Sequence, residues 1–400
     1  MGNGQPPPLA MVDILSILLF LFIYLPWIIG NRIIRHICCC GERDQLSLKD
    51  DLIRSLFRIA SEVISTNVLL NAADRTGKQA LESLRYGHLR KNIFQSVQRD
   101  RFAGYWLNRG LSPTPTEPGW SDVVIYYIHG GGYTLGHPAD NLVDLLFFAE
   151  VLLNNGITCS IFSLDYSLAP GSCLPMQITE AIAAYQYLIK VESIHPSKIV
   201  VMGESAGGHL ALSFLAALQR PGLCPHLETV LPKPQYAIIL SPWIDLINSH
   251  SSISDMQKRD FLSKRALDKN SHQVLRDTPC EQKRLVVNFA ERVDIRGSWK
   301  HILPKRTWIT AGGDEIFLED IKDFTKEADK DGADICLLVA EGKAHAWQTG
   351  EAFADRKRLL ATAISLRGEG MEGYAAMARL LIDVLKKSDL MAGERDSTTA

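Results

Sequence analysis

The 400-residue chain has almost no net charge, 43 Lys and Arg standing against 45 Asp and Glu. No long basic stripe runs through it, which argues against a nucleic-acid partner, because phosphate-backbone binding rests on clustered cations. An N-x-S/T glycosylation acceptor is also missing. The eight cysteines form no framework: Cys38, Cys39 and Cys40 are consecutive, and Cys159, Cys173, Cys224, Cys280 and Cys336 are scattered through apolar or loop contexts. Neither a disulfide scaffold nor a zinc spacing is present, so no metal and no cofactor is expected. Internal repeats are lacking too, and compositional bias is confined to a polar tail after about Met391.

Basic residues are absent before the first apolar run, Leu9 to Ile29, whose early polar members are Asp13 and Ser16. A signal peptide needs a basic n-region and a shorter apolar core followed by small residues, so that reading is disfavoured. The run is long enough to cross a bilayer, for which about 20 residues suffice. Tyr24 and Trp27 fit an interfacial belt, with Arg32, Arg35 and Arg43 beyond it. Residues 1–44 are therefore expected to be a single-pass membrane anchor and linker, and 45–400 a catalytic domain. The positive-inside tendency puts that domain in the cytoplasm. Cys38 to Cys40 are either palmitoylation sites or small linker residues.

With 46% hydrophobic residues the remainder has material for one large core. From Leu46 to about Asn108 the apolar spacing is helical, as at Leu52, Leu56, Ile59, Val63 and Ile64. Ser112 to Gly119 is a proline-rich connector. Strands are predicted at Val123–Ile128, Thr158–Leu164, Ile199–Met202, Tyr236–Leu240, Arg306–Ala311 and Ile335–Val339, separated by helix-length sequence such as Ala139 to Asn154 and Thr179 to Val191. Such alternation implies an α/β fold with a mostly parallel sheet covered on both faces. The polar stretch from about Leu246 to Lys300 interrupts it, and segments 45–112 and 246–300 are expected to form a helical cap.

The chemistry concentrates at Gly203-Glu204-Ser205-Ala206-Gly207, which joins the strand at Ile199 to a helix-forming run. A G-x-S-x-G match alone is weak; a strand before it and a helix after it make it a nucleophile elbow. There the serine sits at a cramped corner, and the helix start supplies free N–H groups where an oxyanion would form. Upstream, the strand ending at Ile128 runs into His129-Gly130-Gly131-Gly132-Tyr133. Three glycines after a strand suit a loop whose bare N–H groups face a ligand oxygen.

A serine nucleophile needs a base, and the base a carboxylate; in α/β-hydrolases the chain order is serine, acid, histidine. After the strand at Arg306 comes Gly312-Gly313-Asp314-Glu315, and after the last strand Gly342-Lys343-Ala344-His345. Asp314 is the expected acid, with Glu315, Glu319 and Asp320 as alternatives. Among the eleven histidines only His345 follows the last predicted strand. His129, with Gly130, is expected to set the geometry of the glycine loop, and His209 to pack beneath the site.

Together with Asp165-Tyr-Ser-Leu-Ala-Pro170 and Ser241-Pro-Trp-Ile-Asp245, these motifs resemble the hormone-sensitive-lipase-like branch of the α/β-hydrolases over about residues 123–348. The resemblance implies a triad of Ser205, Asp314 and His345 and an oxyanion hole of the Gly131, Gly132 and Ala206 N–H groups. Where many members carry Arg and Glu around Leu-Ala-Pro, this chain has Ser167 and Gly171, so a structural ion pair there is not expected; Glu204 replaces the commoner aspartate. The anchor joined to such a domain is similar to fungal steryl deacetylases, membrane proteins of the endoplasmic reticulum that act on acetylated sterols. That group's catalytic domain faces the lumen, opposite to the charge count. The implied partner is a lipophilic small-molecule ester; an acetylated, lactone or amide secondary metabolite is the alternative. A non-catalytic ligand-binding protein on the same scaffold, as in plant gibberellin receptors, is disfavoured because those lack the histidine that His345 supplies here.

Overall fold

The computed structural model describes residues 8–38, 46–72, 76–112, 114, 116–220, 230–364 and 371–397. Its frame is one sheet of eight strands: β1 (Gln95–Arg99), β2 (Phe102–Arg109), β3 (Val123–Ile128), β4 (Cys159–Asp165), β5 (Ile199–Glu204), β6 (Tyr236–Leu240), β7 (Arg306–Gly312) and β8 (Ile335–Ala340). Their spatial order is β1-β2-β4-β3-β5-β6-β7-β8. From β4 to β8 all neighbours are parallel; β1 and β2 pair antiparallel, as do β2 and β4.

All six predicted strands are present, and β3 shows why they read as unbroken apolar runs. Val124, Tyr126 and Ile128 enter the core on one side of the sheet, and Val123, Ile125 and Tyr127 the core on the other. A strand buried on both faces has no polar side to alternate with. One core is closed by α4 (Met176–Lys190) and α5 (Ala206–Leu218), the other by α3 (Leu142–Leu153), α8 (Trp347–Leu360) and α9 (Glu372–Ser397). Helices α6 (Lys264–Leu275) and α7 (Leu318–Lys330) and several shorter ones surround these, and α1 (Met11–Cys38) and α2 (Leu48–Val63) come first in the chain.

The expected cap limit of residue 112 is corrected by the sheet. Residues 95–109 form a hairpin rather than helices, because Phe102 and Trp106 pack edge-on against Phe162 of β4 while Tyr105 and Leu107 enter the opposite core. The remaining expected cap segments, helix α2 (Leu48–Val63) and the insert after β6, meet where Arg58 donates to the Gln257 and Asp260 carbonyls. Helix α2 starts where the Ser47 hydroxyl accepts the Asp50 N–H, an N-cap, with Asp50 and Asp51 in its first turn.

Helix α1, Met11–Cys38, is long and apolar enough to cross a membrane. It contains a π-type turn at Phe20–Tyr24. Met11, Phe22, Trp27, Ile34 and Ile37 are each more than half exposed. Two of its charged residues are held inward: the Ser65 hydroxyl and the Asn67 amide donate to Asp13 at 2.6 and 2.8 Å, and Arg32 meets Asp51 of α2 at 3.6 Å, while Asn31 and Arg35 toward its end are exposed. Helix α1 therefore runs antiparallel to α2, docked through polar contacts and apolar on its outer face. Cys38 is exposed; Cys39 and Cys40 lie outside the described residues.

Candidate active site

The site lies at the carboxyl edge of the sheet, where β3 is flanked by β4 and β5 and the connections leave to opposite sides, the position at which open α/β sheets bind ligands. Strand β5 leads into Ser205, whose φ of 55° and ψ of −119° form the sharp corner expected of an elbow. Both flanking glycines are required by contact. A Cβ on Gly203 would lie 2.4 Å from the Gly207 carbonyl oxygen, and one on Gly207 would lie 2.1 Å from that of Ile128. No side chain fits there, so α5 and the end of β3 approach backbone to backbone.

That approach brings the His129-Gly-Gly-Gly loop beside the serine. A Cβ on Gly130 would meet Ser205 Cβ at 3.3 Å, and Gly131 and Gly132 have φ of 109° and 61°. Among the described residues no acceptor takes the N–H of Gly131, Gly132 or Ala206. Three donors in that neighbourhood are what a developing oxyanion needs. The loop is held from below: Tyr166 stacks on His129 with ring centroids 4.2 Å apart and donates its hydroxyl to the His129 carbonyl at 3.0 Å, while the Ala169 N–H reaches the Tyr133 carbonyl at 2.8 Å. The Asp165–Pro170 motif thus supports the glycine loop. Its Ser167 is satisfied by Glu180, which accepts both the backbone N–H and the hydroxyl.

His345 follows β8, and its Nε2 lies 2.8 Å from Ser205 Oγ, so the two sequence candidates meet directly. The carboxylate nearest the imidazole is not the expected Asp314. Asp314 does not face the imidazole; it is clamped between Arg54 Nη1 at 2.9 Å and Arg259 Nε at 2.6 Å. Glu315, one residue on, is the carboxylate behind His345, with Oε1 3.7 Å from Nδ1. Its other oxygen accepts from the Gly312 N–H at 2.6 Å and the Ser241 hydroxyl at 2.7 Å. The physical reason is the turn after β7: Asp314 N bonds to the Lys343 carbonyl, which directs its side chain out toward the cap and that of Glu315 inward. A separation of 3.7 Å exceeds a hydrogen bond, and such contacts tighten when charge develops on the ring.

Burial pushes the His345 pKa down, but the nearby carboxylates, Glu315 first and Glu204 last among them, outweigh it, and the net shift is upward from the ordinary value of 6.5. Asp260, from the cap, adds to this and also orders the loops: its Oδ1 accepts the His345 N–H at 3.1 Å and its Oδ2 the Ile316 N–H at 2.8 Å. His209 sits beneath the site as expected, bridging the Tyr133 hydroxyl at 2.6 Å and the Val286 carbonyl at 2.7 Å. Burial lowers its pKa to about 4, so it is neutral and structural. Glu204 is buried and accepts from Thr349 of α8; burial pushes it up to about 7. Ser241 and Asp260 were not anticipated. Ser241 lay within a recognised motif, whereas Asp260 carries no local sequence signal.

The family model described as alpha/beta hydrolase fold matches residues 125–349. The chain belongs to the alpha/beta hydrolases. The chain is 30% identical over 139 residues to an acetyl-hydrolase of Streptomyces hygroscopicus, an alignment spanning 35% of this chain and 42% of that protein. It is 29% identical over 240 residues to a Schizosaccharomyces pombe protein provisionally named a steryl acetyl hydrolase, 55% of this chain and 61% of that one. Among solved structures, a hormone-sensitive lipase from a metagenome library superposes with a TM-score of 0.60 at 22% identity, covering 84% of this chain and 98% of that chain. The chain thus spans about two fifths to three fifths of these two relatives' length and shares its fold with the hormone-sensitive-lipase-like branch.

Two substitutions separate the neighbouring carboxylates. Glu315→Gln should lower kcat/KM on the order of 10⁴-fold, as loss of a triad carboxylate does, while Asp314→Asn should cost at least an order of magnitude less. The base must be neutral to accept a proton, so kcat/KM falls as pH drops through the raised His345 value. Removing the Glu315 charge takes away an interaction that raises the His345 pKa and should move this acidic limb to lower pH. Pre-steady-state and steady-state rates across pH check both points; a severe Asp314→Asn with a mild Glu315→Gln would return the acid to position 314.

Proposed function

We propose that this chain is a serine carboxylic-ester hydrolase working through an acyl-enzyme, with Ser205 as nucleophile, His345 as base and Glu315 as the acid. The observation that carries it is the 2.8 Å contact of His345 Nε2 with Ser205 Oγ, backed by a buried carboxylate at the carboxyl edge of the sheet. Ser205 Oγ attacks the ester carbonyl as His345 takes its proton, and the N–H groups of Gly131, Gly132 and Ala206 receive the oxyanion. The alcohol leaves with the proton from His345, and a water activated by the same ring releases the acid. A non-catalytic binding protein would have no use for this paired serine and histidine.

The substrate in this proposal is a lipophilic acetyl ester such as a steryl acetate. Support comes from the acetyl-hydrolase and steryl acetyl hydrolase names of the two relatives and from α1, whose apolar outer face suits a bilayer. In the same reading residues 1–44 hold the enzyme in a membrane, that of the endoplasmic reticulum by analogy with steryl deacetylases, and 45–400 do the chemistry. A tethered enzyme meets lipophilic esters at their membrane concentration. A small acyl group asks little of the acyl side, so selectivity falls on the alcohol, at about 0.8 kcal/mol per buried CH₂.

Ser205→Ala should abolish turnover, a loss on the order of 10⁴ to 10⁶, while leaving the fold intact; an active alanine variant refutes the nucleophile. Acetyl esters of increasingly large apolar alcohols should show rising kcat/KM up to sterol size, and lengthening the acyl chain should lower it; preference for long acyl chains on glycerol would instead indicate a lipase. Removal of residues 1–40 should move the protein to the soluble fraction with turnover of a small water-soluble acetyl ester retained. Pelleting of that truncated chain after a high-salt wash would contradict anchoring by α1.

A further inference from the structure

Helix α2 lies outside the segment matched by the family model, yet one of its arginines reaches all three pieces of chain around the triad. Arg54 Nη1 donates to Asp314 Oδ2 at 2.9 Å and to the Arg259 carbonyl at 2.7 Å, and its Nη2 to the Gly342 carbonyl at 2.7 Å. Asp314 precedes Glu315, Gly342 lies on the loop leading to His345, and Arg259 belongs to the cap. One turn along the same helix face, Arg58 Nη1 donates to the carbonyls of Gln257 at 2.5 Å and Asp260 at 2.6 Å. Asp260 in turn holds the backbone N–H groups of Ile316 and His345.

We propose that Arg54 is a positioning residue for ester hydrolysis: through Asp314 and the Gly342 carbonyl it fixes the separation of the Glu315 and His345 loops, and α2 is the strap that carries it. This rests on Glu315 being the triad acid. A planar guanidinium offers donors in a fixed fork, so three acceptors on three segments are set relative to one another by one rigid group. Asp314, 5% exposed in its side chain, is the anchor of that fork and is shared with Arg259. Arg54 touches neither Ser205 nor His345, so its effect passes through loop geometry. Because Glu315 stands 3.7 Å from Nδ1, the coupling that raises the His345 pKa is sensitive to small movements of either loop.

The test compares Arg54→Ala, Arg54→Lys, Asp314→Asn and the double variant Arg54→Ala/Asp314→Asn in the full chain, with rates expressed per active site titrated by a fluorophosphonate so that misfolded protein is not counted. Arg54→Ala should lower kcat about 10- to 100-fold, the cost of a displacement of about 1 Å at a catalytic group, with KM for a small acetyl ester little changed. Its acidic limb should move to lower pH, and Arg54→Lys, keeping the charge but not the fork, should recover part of both losses. The double variant should be no worse than Arg54→Ala, since both changes break one link. Wild-type kcat and pH limb in Arg54→Ala, or additive losses in the double variant, would overturn the proposal while leaving the triad standing. Near-wild-type turnover in Glu315→Gln would instead overturn the triad reading and with it this premise.

Discussion

The backbone contact between α5 and the end of β3 is the constraint on which the site depends. A methyl group at Gly207 would sit 2.1 Å from one carbonyl oxygen and 2.3 Å from the next, so the two elements can meet only if that position has no side chain. From this contact follow the positive φ of Ser205, the outward hydroxyl, and the placement of the glycine loop beside it. A strained serine persists because a fully buried helix and a fully buried strand leave it no alternative. Ser205 and the glycine loop beside it, the proposed nucleophile and oxyanion donors, are therefore one rigid unit.

The other half of the proposed triad is assembled by charge. Glu315, Asp260 and Asp314 crowd around the loops after β7 and β8, and burying carboxylates costs several kcal/mol each unless partners are supplied. Each has its own: Ser241 and the Gly312 N–H for Glu315, three backbone N–H groups for Asp260, two arginines for Asp314. The division of labour among similar side chains follows from these partners. A carboxylate saturated by guanidinium groups is unavailable to an imidazole, whereas one held by a hydroxyl and an amide retains a free oxygen facing His345.

Much of this was legible in the sequence because it is local. Six strands announced themselves as apolar runs of strand length, and Ser205 and His345 by turns that demand glycine next to a strand end. The hairpin at residues 95–109 was read as helix because its outward residues are interrupted by large apolar ones that serve both cores. The carboxylate nearest His345 stands one position beyond the expected Asp314: the two are adjacent on one glycine turn, and only the direction of that turn decides which faces inward. Arg54 and Asp260 were invisible, since their partners lie on distant segments and no spacing records such contacts.

The central claim is that Ser205 is activated by His345 with Glu315 behind it. Reaction with a fluorophosphonate, mapped by peptide mass spectrometry and timed in the wild type and in His345→Ala and Glu315→Gln, tests this directly. The account predicts one adduct per chain, on Ser205, forming far more slowly in both variants. An adduct on another residue, or a labelling rate that ignores both substitutions, would contradict it.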